Sequence, residues 1–112
     1  MTDEQHYLDA LAAKIRIINE ANGWDSVTLR DWESGTNFDK IPSKLALVHS
    51  EVSEALEAYR HLDLENFIEE MADVVIRVLD TVGGVTDDFH TAVMDKIEHN
   101  ASRGYKHGGK RI

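Results

Sequence analysis

The feature that most restricts the fold of this chain is the three-and-four spacing of its apolar residues. It recurs through four stretches and never gives way to the two-residue alternation of a half-buried strand. Leu8, Leu11, Ile15 and Ile18 fall at i, i+3, i+7 and i+10 and predict a first helix over residues 3–22, ended by Asn22-Gly23. A polar connection to about Ile41 carries Trp24, Trp32, Asn37 and Phe38, with room for a short helix over 27–33. Pro42 suits the first turn of a second helix, which runs to about Arg60. Asp63 is placed to cap a third helix that reaches about Val82 and stops at Gly83-Gly84. Thr86 is placed to cap a fourth, with Asp87 and Asp88 in its first turn, running to about Arg103. Short links between the last three helices predict antiparallel neighbours and therefore an all-α, four-helix-bundle-like fold. Residues 103–112 form a basic, glycine-rich tail.

At 112 residues the chain fits a single domain, near the size at which oligomers help to complete a core. It is 42% hydrophobic and 29% charged with one proline, the balance of a folded soluble protein. No apolar run approaches the ~18–20 residues of a membrane span, and the acidic start MTDEQHYLDA lacks the features of a signal peptide. The absence of cysteine removes disulfides, thiolate chemistry and Cys-type zinc sites together, so a cytoplasmic setting is expected. A net charge of −9 argues against a nucleic-acid polymer as partner. The charge is unevenly spread, since residues 96–112 hold five basic side chains and only Glu98. That tail suits a small phosphorylated ligand, or is simply a loose basic end on an ordinary acidic surface.

Glu51 breaks the amphipathic pattern. At about 100° per residue, Ala55 and Ala58 lie within about 40° of it, so Glu51 sits inside the apolar arc of its helix, with Glu54 at the edge. A buried, unpaired carboxylate costs several kcal/mol and must be neutralised, paired or bound to a metal. Lys44, two turns earlier, offers a plain ion pair as the alternative. On the third helix Glu70 and Asp73 repeat the i, i+3 spacing. Glu69, Glu70, Asp73, Arg77 and Asp80 share a polar arc that alone reads as solvated, opposite an apolar arc of Phe67, Met71, Val75 and Leu79. The pair becomes informative because the second helix presents a matching pair across a short turn. On the fourth helix Lys96, Asn100 and Arg103 fall within about 60° of one another, on the arc of Phe89, Ala92 and Val93. Two cations on an inward face need an anion before them, or else snorkel outward. Oxygen ligands without His or Cys suit a hard cation, Mg²⁺ or Mn²⁺.

The order Glu51-x-x-Glu54, fifteen residues, then Glu70-x-x-Asp73 resembles the acidic signature of the MazG-like all-α nucleoside triphosphate pyrophosphohydrolases. KLALVHSEVSEALEA, EEMADVVIRVLD and KIEHNASR are similar to three successive helices of that family, over roughly residues 44–103, and the tail is similar to compact phage or bacterial members. The resemblance implies Mg²⁺-dependent cleavage of an NTP or dNTP between the α and β phosphates, giving a monophosphate and pyrophosphate. It implies Glu51, Glu54, Glu70 and Asp73 as metal ligands, with Glu51 or Glu54 acting on the attacking water. Lys96, Asn100 and Arg103 match phosphate-facing positions. A homodimer or homotetramer in a bacterial or phage-infected cytoplasm is expected with it. An apolar arc of about 200° on the third helix independently suggests more than one packing partner.

Trp24 is the preferred stacking residue for a base, although the tryptophans of the connection equally suit a satellite core. The histidines share no ligand spacing with the acids and are expected at the surface or behind the site. A di-iron carboxylate bundle would need Glu-x-x-His, which the chain lacks. The remaining rival is a non-catalytic nucleotide-binding or regulatory helical oligomer on the same scaffold.

Overall fold

The computed structural model describes residues 6–34 and 39–104. The described residues form five helices and no strand: α1 (Tyr7–Ala21), α2 (Leu29–Ser34), α3 (Lys40–Arg60), α4 (Leu64–Val82) and α5 (Phe89–Ser102). The all-α expectation holds. The tail beyond Gly104, and Asn37 and Phe38 of the connection, lie outside the described residues.

Local chemistry explains most of the boundaries. Gly23 adopts φ +87 just after α1, while the amides of Asn22, Gly23 and Trp24 close on the carbonyls of Ile18, Glu20 and Asn19. Thr28 and Asp31 bond reciprocally at the head of α2, the Thr28 amide to Asp31 Oδ2 at 2.8 Å and the Asp31 amide to Thr28 Oγ1 at 3.3 Å. This is the short helix anticipated in the connection. Asp63 caps α4 as expected, accepting from the Asn66 amide at 3.1 Å.

The start of α5 differs from expectation. Its N-cap is Asp88, so Asp87 and Asp88 precede the helix, and Thr86 Oγ1 accepts only from the Asp88 amide. The cap comes from another helix: Asp9 of α1 accepts from the amides of Phe89 at 2.7 Å and His90 at 3.3 Å. A carboxylate at this positive helix end, made of otherwise orphaned amides, fixes where α5 docks.

That contact redirects the topology. α3 and α4 pack as a hairpin and α1 lies on α4, but the main partner of α5 is α1. A short link therefore did not make α5 the close antiparallel neighbour of α4. Phe89 packs against the cluster of Ala12, Ile15 and Leu79, whereas residues 94–102 are all exposed. Arg16 fastens α1 to the rest, donating to the Asp80 carbonyl at 3.0 Å and the Val27 carbonyl at 2.9 Å. Gly84 makes the same junction possible, because a Cβ there would lie 2.1 Å from the Val27 carbonyl oxygen.

The core is thin. Among the described residues the buried apolar side chains are Ala12, Ile15, Val27, Ala55, Ala58 and Leu79, and Val27 is the largest that is fully enclosed. Ile17, Leu45, Val52, Leu56, Ile68, Met71, Val75, Met94 and Ile97 are each at least 44% exposed. The apolar arc read on α4 is thus split. Leu79 is buried while Met71 and Val75 face outward, and the inward row is Phe67, Glu70, Val74, Arg77 and Thr81.

Candidate metal centre

That inward row brings the acids together. Glu51, 8% exposed on α3, meets Glu70 and Asp73 of α4, each contributing a carboxylate oxygen within 4.8 Å of the others. The polar arc of α4 is only partly solvated: Glu69 and Asp73 are exposed, whereas Glu70 and Arg77 are half-buried and Asp80 is buried. Glu54, one turn from Glu51, is exposed and stands beside Glu70. The four acids picked out in the sequence therefore occupy one neighbourhood.

Its electrostatics are unbalanced. Glu51 forms an ion pair with Arg77 at 3.6 Å, not with Lys44, the partner offered as the alternative to a metal. Oε2 of Glu70 is sealed from solvent with no donor in reach. The Glu70 carboxyl is pushed up to about 7, first by sharing a proton with Glu54, then by burial, then by the charges of Glu54 and Glu51. One arginine for this many acids leaves a deficit that a proton or a cation must fill.

A hard divalent cation fits that deficit. Six oxygens at ~2.0–2.1 Å from Mg²⁺ lie roughly 2.9 Å apart when adjacent and 4.2 Å when opposed. The three carboxylate oxygens, all within 4.8 Å of one another, would have to draw closer to share one ion. The buried, unpartnered oxygen of Glu70 supplies the structural reason to expect an ion, and an all-carboxylate donor set supplies the chemical one.

A cavity of about 210 Å³ adjoins the acids, lined by Asn19, Trp24, Lys44, Asp73, Ile76, Arg77 and Asp80. Asp73 belongs to both. Trp24, 59% exposed, lies in this cavity, whereas Trp32 lines a separate apolar hollow with Val27, Leu45 and Phe89. The segment following Trp24 is held on two sides. Lys40 contacts the Ser26 carbonyl at 3.2 Å, Asp31 at 3.2 Å and Asp25 at 3.4 Å, and Arg16 holds Val27. Burial opposes the Lys40 charge, but the two aspartates outweigh it and raise its pKa.

Lys96, Asn100 and Arg103 do not face the acids within the protomer. Lys96 and Asn100 are exposed, Arg103 is half-buried at the end of α5, and that helix packs on α1. The angular reading identified a common face, but the Asp9 cap directs the helix elsewhere. Two site residues were not anticipated. Arg77 pairs with Glu51, and Asp80 is 8% exposed with Oδ1 buried and unpartnered. The available signal was that Glu70, Asp73, Arg77 and Asp80 run at steps of three and four, one continuous stripe. The histidines also hold more than expected: His6 lies 3.6 Å from Asp9 and 3.5 Å from Asp88, a second His/Asp cluster.

No family model, curated protein or solved structure matches the chain. Among the described residues, no helix is long and apolar enough to cross a membrane.

Proposed function

We propose that the chain is a MazG-like nucleoside triphosphate pyrophosphohydrolase, dependent on Mg²⁺ or Mn²⁺, that converts an NTP or dNTP to its monophosphate and pyrophosphate. The observation that carries this reading is the meeting of buried Glu51 with Glu70 and Asp73 across α3 and α4, beside a tryptophan-lined cavity. Glu51, Glu54, Glu70 and Asp73 would hold the ion. When bound, it would supply positive charge that makes water more acidic and offsets the phosphate charge.

The protein's own groups divide the remaining chemistry. Glu51 or Glu54 takes a proton from the attacking water, whose oxygen bonds to phosphorus as the α–β bridging bond breaks and pyrophosphate leaves. Arg77 holds Glu51 in place. Asp73 belongs to both the acid group and the cavity lining, so a base seated in the cavity would have its phosphates near the acids.

The protomer would work as a homodimer or homotetramer. Its few buried apolar side chains and the wholly exposed residues 94–102 support assembly. A second copy would then bring the Lys96–Asn100–Arg103 row to the phosphates.

A turnover assay tests the proposal. Magnesium-dependent release of pyrophosphate, lost in a folded Glu51→Gln variant, is expected. Nucleotide binding without product under varied metals would favour the regulatory oligomer, and orthophosphate as first product would move the cleaved bond.

A further inference from the structure

Asp80 lines the cavity in a placement that the hydrolytic chemistry leaves unexplained. It is 8% exposed, and its Oδ1 is cut off from solvent and meets no donor. The Asp80 carbonyl, by contrast, is bonded to Arg16 at 3.0 Å, so the residue is anchored while its carboxylate is left unsatisfied. Hiding an acceptor without a donor forfeits its hydration, a heavier loss for a charged group than for a neutral one. Such a cost is recovered when a ligand supplies the missing donors.

We infer that Asp80 is a specificity residue that reads the paired N–H edge of guanine, with Trp24 stacking on the base. The inference rests on the nucleotide reading above and adds the identity of the base. A cavity of about 210 Å³ is below the ~300–1,000 Å³ of pockets for drug-sized ligands, which suits one base with sugar and phosphates outside. A carboxylate offers acceptors alone. Guanine presents two adjacent donors, N1–H and the N2 amine, and matches it. Adenine and cytosine place a ring acceptor beside their amine, and uracil flanks its single N–H with two carbonyls, so each sets a lone pair against the carboxylate. Asn19 and Lys44 line the same cavity and offer donors for the guanine O6. Trp24 supplies an exposed ring on a segment pinned by Lys40 and Arg16, as a stacking platform requires.

The test measures kcat/KM for pyrophosphate release from GTP, ITP, XTP, ATP, CTP and UTP with the full chain and Mg²⁺. Wild type should favour GTP over the adenine and pyrimidine nucleotides by about ten- to a hundredfold, the size of a bidentate discrimination. ITP, which lacks the N2 amine, should fall below GTP by about tenfold, an arm that needs no variant. Asp80→Asn, checked for fold by circular dichroism, should lose the GTP preference and gain XTP, because an amide both accepts from N1–H and donates to the xanthine O2. Equal use of all six nucleotides, or unchanged selectivity in Asp80→Asn, overturns the base assignment and leaves the hydrolase intact. Guanine-selective binding, read by calorimetry, without product keeps the base assignment and removes the hydrolase. Neither binding nor product with any nucleotide overturns both.

Discussion

Among the described residues two clusters have the spacing of metal ligands, and only one of them keeps a buried carboxylate oxygen without a donor. His6, Asp9 and Asp88 converge where α1 meets the start of α5, with the His90 ring tilted against His6 at 5.7 Å between centroids. The groups there already satisfy one another, since Asp9 accepts from two backbone amides and His6 stands between two aspartates. Glu51, Glu70 and Asp73 show the same proximity, yet Glu70 has an orphaned oxygen and carboxylates for neighbours. Proximity is common to both. Unsatisfied valence separates a candidate ion site from a well-made helix junction.

The sharpest way to break this contrast is to neutralise one acid in each cluster. Glu51→Gln should reduce magnesium-dependent pyrophosphate release by at least roughly a hundredfold, since a ligand and a candidate base are lost together. Asp88→Asn, at the other cluster, should leave kcat/KM within about twofold. Comparable losses in both variants would show that the two clusters are not functionally distinct.

A smaller effect, of opposite assignment, is expected from the junction. Asp9→Ala removes the side-chain cap that the described residues give the first amides of α5 and should lower unfolding stability by about 1–2 kcal/mol. Urea unfolding at fixed protein concentration reads it, the concentration being held because assembly contributes to stability. The rise in stability on adding Mg²⁺ should be unchanged in this variant. A variant that lost the magnesium response would place the ion at the junction instead.

The contrast also marks what the sequence could carry. Glu51 was legible because a carboxylate within an alanine-rich arc cannot be reconciled with simple burial, whatever packs on it. Its partner was not. Lys44 and Arg77 were both within plausible reach, and choosing between them needs the relative rotation of α3 and α4, which one-dimensional spacing does not contain. The same rotation reversed the reading of α4. Glu70, Arg77 and Asp80 look like a solvent face until the helix is turned so that they are drawn inward, Asp73 stays exposed beside them, and Met71 and Val75 point away. The Lys96–Asn100–Arg103 row stays away from the acids of its own protomer for a non-local reason: Asp9, some eighty residues earlier, helps to decide where α5 docks. Helix existence came from periodicity; helix placement came from single polar contacts that periodicity cannot register.

The finest test uses the proton that substitutes for a cation. Glu70 titrates near 7 in the folded chain against an ordinary value of 4.5, so the native state holds its proton more tightly than the unfolded chain does. Between those values the folded form binds more protons, and its stability must fall as pH rises. Without divalent ions, Tm should therefore decline from about pH 4.5 to about 7, this contribution then levelling off. A cation competes for the same oxygens, so the Tm increase on adding Mg²⁺ should be small at about pH 5 and grow through about pH 7. Glu70→Gln should flatten the decline and weaken the magnesium response, while Asp88→Asn should keep both. Scanning calorimetry across pH, with and without Mg²⁺, distinguishes the cases. A wild-type magnesium response independent of pH would mean that the ion does not displace the proton on Glu70, and the acids of α3 and α4 would then lose their claim to differ from the junction at Asp9.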